Sequence, residues 1–576
     1  MKKITSTIFT GLILCSALTI QAQTEVKKFS LNGTARTLSF LDNLSQDVEV
    51  ADTITAPKSL SSHTLVDLGM LIRPGDNIAI QSSVRIRNDF GGFWGSGVTF
   101  DVRQLYVKGV VKDVVRYQVG DVHYKLTPYT FYNNDSELSN YTPAAFSHLL
   151  DQVSYDNFYL GDNTWRQQGA AVDFGVVFNK YVQEINWNVF TGRVAATNGG
   201  NQPERLFSAA NMTLIQSKYV SLGVNYANFY DFPGTASTTE QYVNPVVTGN
   251  AQLAYTFGDI ALTANGEMGK SHNEIKNDSL APVLDGNFFD TKIEAKYTPW
   301  QLGIYIGMKS VGADFRSAGA QTKRINFDGT PTAYERITND QILRETTMFD
   351  LLREADLYNL QLQNGLMAFD ARYDNITPYG AASPNRQGFE VGLNWVGCKD
   401  AVKLNASYLS QSEIRGQGTL NLRNFARLDA NAIIAINKLL KWKKSIELTA
   451  GMRSDNTTRD GEAGVPSVDL LTDVLSLGFS ANIVSDLDIV LGLQQHTYAG
   501  FEFVNQTDKY DQIINFTEFT VDGSQQMIGG GLRWNFSEKT YLMGQFNQFS
   551  QNNNLVDDVL PSYTINNFAF IYSMQF

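Results

Sequence analysis

Counted back from Phe576, every second residue is Met574, Tyr572, Phe570 and Phe568, and the interleaved set is Gln575, Ser573, Ile571 and Ala569. A strict period of two places one set on each face of a β-strand. One face of this strand is aromatic and the other is mostly small or polar. Any half-buried edge strand fits that pattern, so the rest of the chain must say what kind of sheet it closes.

The other end narrows the choice. Residues 1–22 carry Lys2 and Lys3, an apolar run from Ile4 to Ile20, and Gln21-Ala22 before the polar Gln23. This has the form of a secretory signal peptide and its core is too short to span a bilayer as a helix. Cys15 does not fit a lipidation site, because Leu14 precedes it where a small residue is needed and apolar residues follow it. Removal of residues 1–22 leaves Cys398 as a lone cysteine, so no intramolecular disulfide is expected. The aromatic strand that ends on Phe576 resembles the closing strand of Gram-negative outer-membrane β-barrels, whose terminal aromatics are read by the insertion machinery. The resemblance implies an assembly signal in Phe570, Tyr572 and Phe576, with outer-membrane lipid and the barrel-insertion machinery as partners.

Composition agrees with a barrel. After Ile20 no run of eighteen apolar residues occurs, which excludes a transmembrane helix. Aromatic content is nevertheless 12%, with 46 glycines and only 14 prolines, as suits strands that alternate lipid-facing and water-facing residues. Without the two signal-peptide lysines the formal net charge moves from −12 to −14, which argues against a nucleic-acid partner held by electrostatics.

Segments of about ten alternating residues, the length a tilted strand needs to cross a bilayer, recur along the chain. Leu302, Ile304, Ile306 and Met308 alternate with Gly303, Tyr305, Gly307 and Lys309; Val220 to Ala227 and Leu487 to Gln494 read the same way. Short polar links such as Arg73 to Asp76, Gly258-Asp259 and Ser537 to Lys539 alternate with long ones: Val122 to Gln168, Tyr230 to Pro245, Lys270 to Asn287, Gly312 to Gln387 and Thr497 to Ser524. Bacterial barrels show this asymmetry, with tight periplasmic turns and long external loops. Trp300, Trp395, Trp442 and Trp534 fall at or near the short links, where an aromatic girdle meets the inner interface. The expectation is an all-β chain: residues 1–22 a signal peptide, and residues 23–576 one transmembrane antiparallel β-barrel of about 22 strands, within a range of roughly 20 to 24.

A barrel of that size encloses more space than wall side chains fill, so it is plugged or conducting. Barrels of the TonB-dependent transporter family carry a plug domain before the first strand; here the first strand, from Phe29, follows the signal peptide too closely for one. The long loops 122–168 and 312–387, of 47 and 76 residues, are expected to fold over or into the lumen instead. Within the second, Asn339 or Asp340 is positioned to cap a helix bearing Ile342, Leu343, Phe349, Leu351 and Leu352. The first is rich in tyrosine (Tyr124, Tyr129, Tyr132, Tyr141, Tyr155, Tyr159), which suits either stacking on sugar rings or packing of the loop on itself.

Strand phase assigns eleven basic and seven acidic residues to the lumen. Among them Arg85, Arg87, Arg103, Arg116, Lys309, Glu267, Glu390 and Arg533 are the candidate pore-lining set. The first four arise from three consecutive strands, a spacing that allows a basic ladder attractive to anions. The strand pair containing Arg103 to Gly109 and Arg116 to Asp121 is similar to porin strands, with arginine inward and tyrosine toward the membrane. That resemblance implies a porin-like channel for passive or selective uptake of small polar solutes, anionic or sugar-like. The alternative is a non-conducting accessory barrel in a secretion or assembly complex, with protein partners. No catalytic group is expected: the histidines at 63, 123, 148, 272 and 496 fall in loops or at strand ends, His496, next to a confident strand, finds no serine to pair with, and the acidic stretch Asp455 to Glu462 lacks calcium-loop spacing. No metal or cofactor is expected.

Overall fold

In the computed structural model the described residues are 28–46, 58–90, 97–135, 142–158, 162–329, 331, 345–508, 510–555 and 562–576. The signal-peptide reading and Cys15 lie outside them.

Twenty-two antiparallel strands form a single sheet in which each strand pairs with its sequence neighbours. The first strand, Phe29–Gln46, also pairs with the last, Tyr563–Gln575, over the register Thr34↔Gln575 to Gln46↔Tyr563. The sheet is closed, so no edge is left to satisfy. At one end the connections are tight: Gly75 to Ile78, Val111 to Val115, Lys180 to Val182, Phe257 to Ile260, Val484 to Leu487 and Ser537 to Thr540. The two longest connections, Tyr124 to Trp165 and Val311 to Arg386, lie at the other end.

The alternation reads onto the wall as expected. Ile304, Ile306 and Met308 are 55%, 51% and 56% exposed on the outside, whereas Gly303 and Gly307 turn inward. Leu222, Val224 and Tyr226 face out against inward Gly223 and Asn225. Such an apolar outer surface on a closed sheet is what hydrocarbon requires, and the fold is a transmembrane β-barrel. Trp300, Trp442 and Trp534 are exposed at the tight-turn end, joined there by Tyr255, Phe257 and Phe536. In the closing strand Phe568, Phe570 and Phe576 are exposed outside, while Asn567, Ala569 and Ile571 are fully buried inside.

Two expectations about connections need correction. Lys270 to Asn287 and Thr497 to Ser524 are mostly strand, since strands run through Lys276, from Leu284, through Thr507 and from Ile513. These hairpins continue the ladder above the apolar belt, where strands have no lipid face and their alternation fades. Pro245, read as part of a loop, lies inside the strand Gln241–Phe257. In the described part of the 312–387 segment Phe349, Leu351 and Leu352 lie on helix Met348–Arg353, capped by Thr347 in a reciprocal capping box with Asp350, and a second short helix spans Ala371–Asp374. Asn339 and Asp340 lie outside the described residues.

Candidate functional site

The site is the lumen, and the inward segments shape it. Residues 144–157 form a short helical run whose Ala145, Phe146, Leu149 and Val153 are buried against wall residues Leu38, Phe40, Val474, Met527, Met543 and Ile571. The wall is cut to receive it. A side chain at Gly492 or Gly529 would collide with the Phe146 ring, at 3.1 Å and 2.6 Å from the added carbon. Gln545 donates from Nε2 to the Ala145 carbonyl at 2.6 Å.

Helix Met348–Arg353 packs beside this run. Its Phe349 stacks on Phe549 at 5.5 Å, its Met348 amide donates to Gln525 Oε1 at 2.8 Å, and Arg353 makes two bonds to Asp42 at 3.0 and 2.9 Å. Further along the same segment Asp374 accepts from Arg427 Nη2 at 2.9 Å and lies 3.4 Å from Arg453, and Asp455 bridges both arginines from the wall. Burial raises the Asp374 carboxyl, but the two guanidinium groups outweigh it and hold the group well below the usual carboxylate range. The two long segments also join each other: Asn134 bridges to Lys323, and Arg324 pairs with Asp135 at 2.9 Å.

Each candidate pore-lining residue has a definite place. Arg85 faces inward but is buried, bound to Asp67 through Nε at 2.6 Å and Nη2 at 2.5 Å. Arg87 pairs with Asp89 at 2.8 Å. Arg103 donates to the Tyr155 carbonyl at 3.2 Å, and the Tyr155 ring lies 5.9 Å from both Arg36 and Arg85. All four members of the supposed ladder thus sit beside the inward segment or a carboxylate, and they differ in exposure. Arg116, paired with Asp173, is largely exposed on a cavity of about 860 Å³ toward the tight-turn end, together with Lys108 and Glu184. Arg533 lies apart, 3.9 Å over the Tyr541 ring.

Glu267, Lys309 and Glu390 do come together. They line a second cavity of about 710 Å³ roofed by Thr127, Tyr129 and Thr377 from the inward segments. Lys309 stands directly opposite Asp290 in the strand register. Thr127 donates to Glu267 at 2.7 Å, Tyr129 to Asp290 at 2.6 Å and Tyr305 to Glu390 at 2.6 Å.

The tyrosines of the first long loop are packed rather than free. Tyr124 stacks on Phe190 at 4.8 Å and Tyr129 on Phe288 at 3.9 Å, while Tyr141 and Tyr159 lie outside the described residues. The sequence count of lumenal charges missed Asp42, Asp67, Asp290 and Asp455. Asp67, Asp290 and Asp455 share the inward phase of a counted residue on the same or the neighbouring strand, so carrying each phase to the strand ends would have found them; Asp42 lies on a strand where no charge was counted, between two others that also had none. His496, the histidine nearest a confident strand, is buried with Nε2 2.9 Å from the Arg372 carbonyl. Among the described residues no cluster of His, Cys, Asp and Glu is arranged to hold a metal ion.

No family model matches the chain, and no curated protein sequence matches it. Solved structures similar to it include Pseudomonas aeruginosa OccK9 (OpdG), with a TM-score of 0.38 and 8% identity over 96% of this chain and 99% of that one. P. aeruginosa OccK8 (OprE) aligns with a TM-score of 0.36 and 10% identity over 95% and 98% of the two chains. A BenF-like porin from Pseudomonas fluorescens Pf-5 aligns with a TM-score of 0.35 and 8% identity over 96% and 99%.

Proposed function

We propose that this protein is an outer-membrane, porin-like channel that admits small polar solutes. The observation that carries the reading is the pair of cavities, about 860 and 710 Å³, bordered by charged and carboxamide side chains inside a lipid-facing barrel, the second of them roofed by segments that narrow the lumen. A lumen narrowed by its own loops is the arrangement that turns a wide barrel into a selective path, because charge acts over only about 8 Å at physiological salt. Outer-membrane lipid surrounds the barrel, and the insertion machinery recognises its closing strand at Phe570, Tyr572 and Phe576. Arg116 is the member of the arginine set best placed to act on a passing ion, since it is the one exposed on a cavity. Purified protein in planar bilayers should give discrete conductance steps.

A second reading has its own support. The apolar packing of Phe146, Leu149, Phe349 and Leu352 on the wall closes part of the lumen with a core rather than with water. A silent barrel in the bilayer experiment favours this reading, an accessory barrel that works through protein partners.

A further inference from the structure

The cavity under Tyr129 and Thr377 holds more bonding capacity than the protein uses. Gln411 is 4% exposed, lines this cavity, and leaves both its amide oxygen and its amide nitrogen without a hydrogen-bond partner. A buried carboxamide with both ends unpaired is costly unless something else satisfies it. Three further carboxamides, Asn250, Gln252 and Asn265, line the same space, as does the Ser407 hydroxyl. The room is adequate, since pockets of roughly 300–1,000 Å³ hold small-molecule ligands.

The charges say which ligand. Glu267, Asp290, Glu390 and Asp429 all border the cavity. Three of them accept from neutral hydroxyls, those of Thr127, Tyr129 and Tyr305. Arg427, which also borders it, is spent on Asp455 and Asp374. Lys292 covers the face of Tyr305, 3.4 Å from the ring centroid, and Lys309 faces Asp290. A carboxylate entering here meets four others and no unengaged guanidinium. A solute with several hydroxyls meets acceptors in the carboxylates and both donors and acceptors in the carboxamides.

We propose that this cavity is a binding site for a sugar-sized polyhydroxylated solute that is uncharged or carries an amine, and that it rejects the corresponding acid. The assignment deepens the channel reading and rests on it for its biological role, but binding can be measured without conduction.

The test is equilibrium dialysis of the detergent-solubilised full chain against radiolabelled glucose, glucosamine and glucuronate, alongside conductance on the same preparation. Glucose and glucosamine should each bind at least tenfold more tightly than glucuronate. Gln411→Leu should weaken glucose binding at least fivefold, and Glu390→Gln should narrow the preference against glucuronate; heat-modifiable migration reports whether either variant is folded. Glucuronate binding as tight as glucose, or no binding of any of the three at millimolar concentration, overturns the assignment whatever the conductance. Selective sugar binding by a barrel that passes no current upholds the site and overturns the channel.

Discussion

Arg85 faces the lumen, yet its guanidinium is held by Asp67 and lies under the Tyr155 ring. Its replacement by Glu puts two carboxylates together in a buried place, and the expected result is loosening of the 144–157 segment rather than a simple change of ion preference. Breaking a buried pair in this way costs roughly 3–5 kcal/mol. Proteinase cleavage within 144–157 should rise in Arg85→Glu and fall again in the exchanged pair Asp67→Arg with Arg85→Glu. On the outer face Ile304→Arg, at 55% exposure in the lipid belt, should cost about 2–4 kcal/mol in urea unfolding from bilayers, whereas a polar residue at inward Gly303 should not act through lipid. The direction of Ile304 was legible in the sequence because hydrocarbon on one side and water on the other enforce a period of two. The use of Arg85 was not, because Asp67 lies on another strand and Tyr155 in a loop, and only register and loop path bring them to it.

At the scale of the element, the inward helical run 144–157 is tied to proton concentration through His148. Burial holds its imidazole down to about 4, helped by the charges of Arg36 and Arg353, against the Ala145 carbonyl, which favours the charged form. A histidine lowered in the seated state contributes stability that is complete above its free value of about 6.5 and is lost as pH falls toward 4. Once fully protonated, a shift of that size weakens the seat by about 3 kcal/mol. Protection of residues 144–157 from proteinase should therefore decline between pH 7 and pH 5, and His148→Leu should abolish the decline. The closing strand makes a different prediction. A chain lacking Phe576 should show less heat-modifiable barrel in membranes while the assembled fraction keeps near-normal urea resistance. The aromatic face of this strand was plain from residues 568–576. Its inner face, mostly small or polar in the sequence, gave no sign of a core: the burial of Ala569 and Ile571 follows from loop side chains that approach from far away in sequence. By contrast the cap of helix Met348–Arg353 is local, since the Thr347 hydroxyl and the Asp350 carboxylate complete a reciprocal pair.

For the whole molecule, closure is the property on which the others depend. The first strand bonds the last from Thr34↔Gln575 to Gln46↔Tyr563, and Gly33 and Phe576 exchange backbone hydrogen bonds at 3.0 Å in both directions. Residues more than five hundred positions apart must meet before either strand is satisfied. Contacts so distant in sequence form late, after the chain's intervening hairpins have been ordered. Until then the two flanking strands expose unpaired amides and carbonyls, a template for association with any other extended chain. Closure ends that exposure in one step, because pairing the first strand with the last satisfies both edges at once.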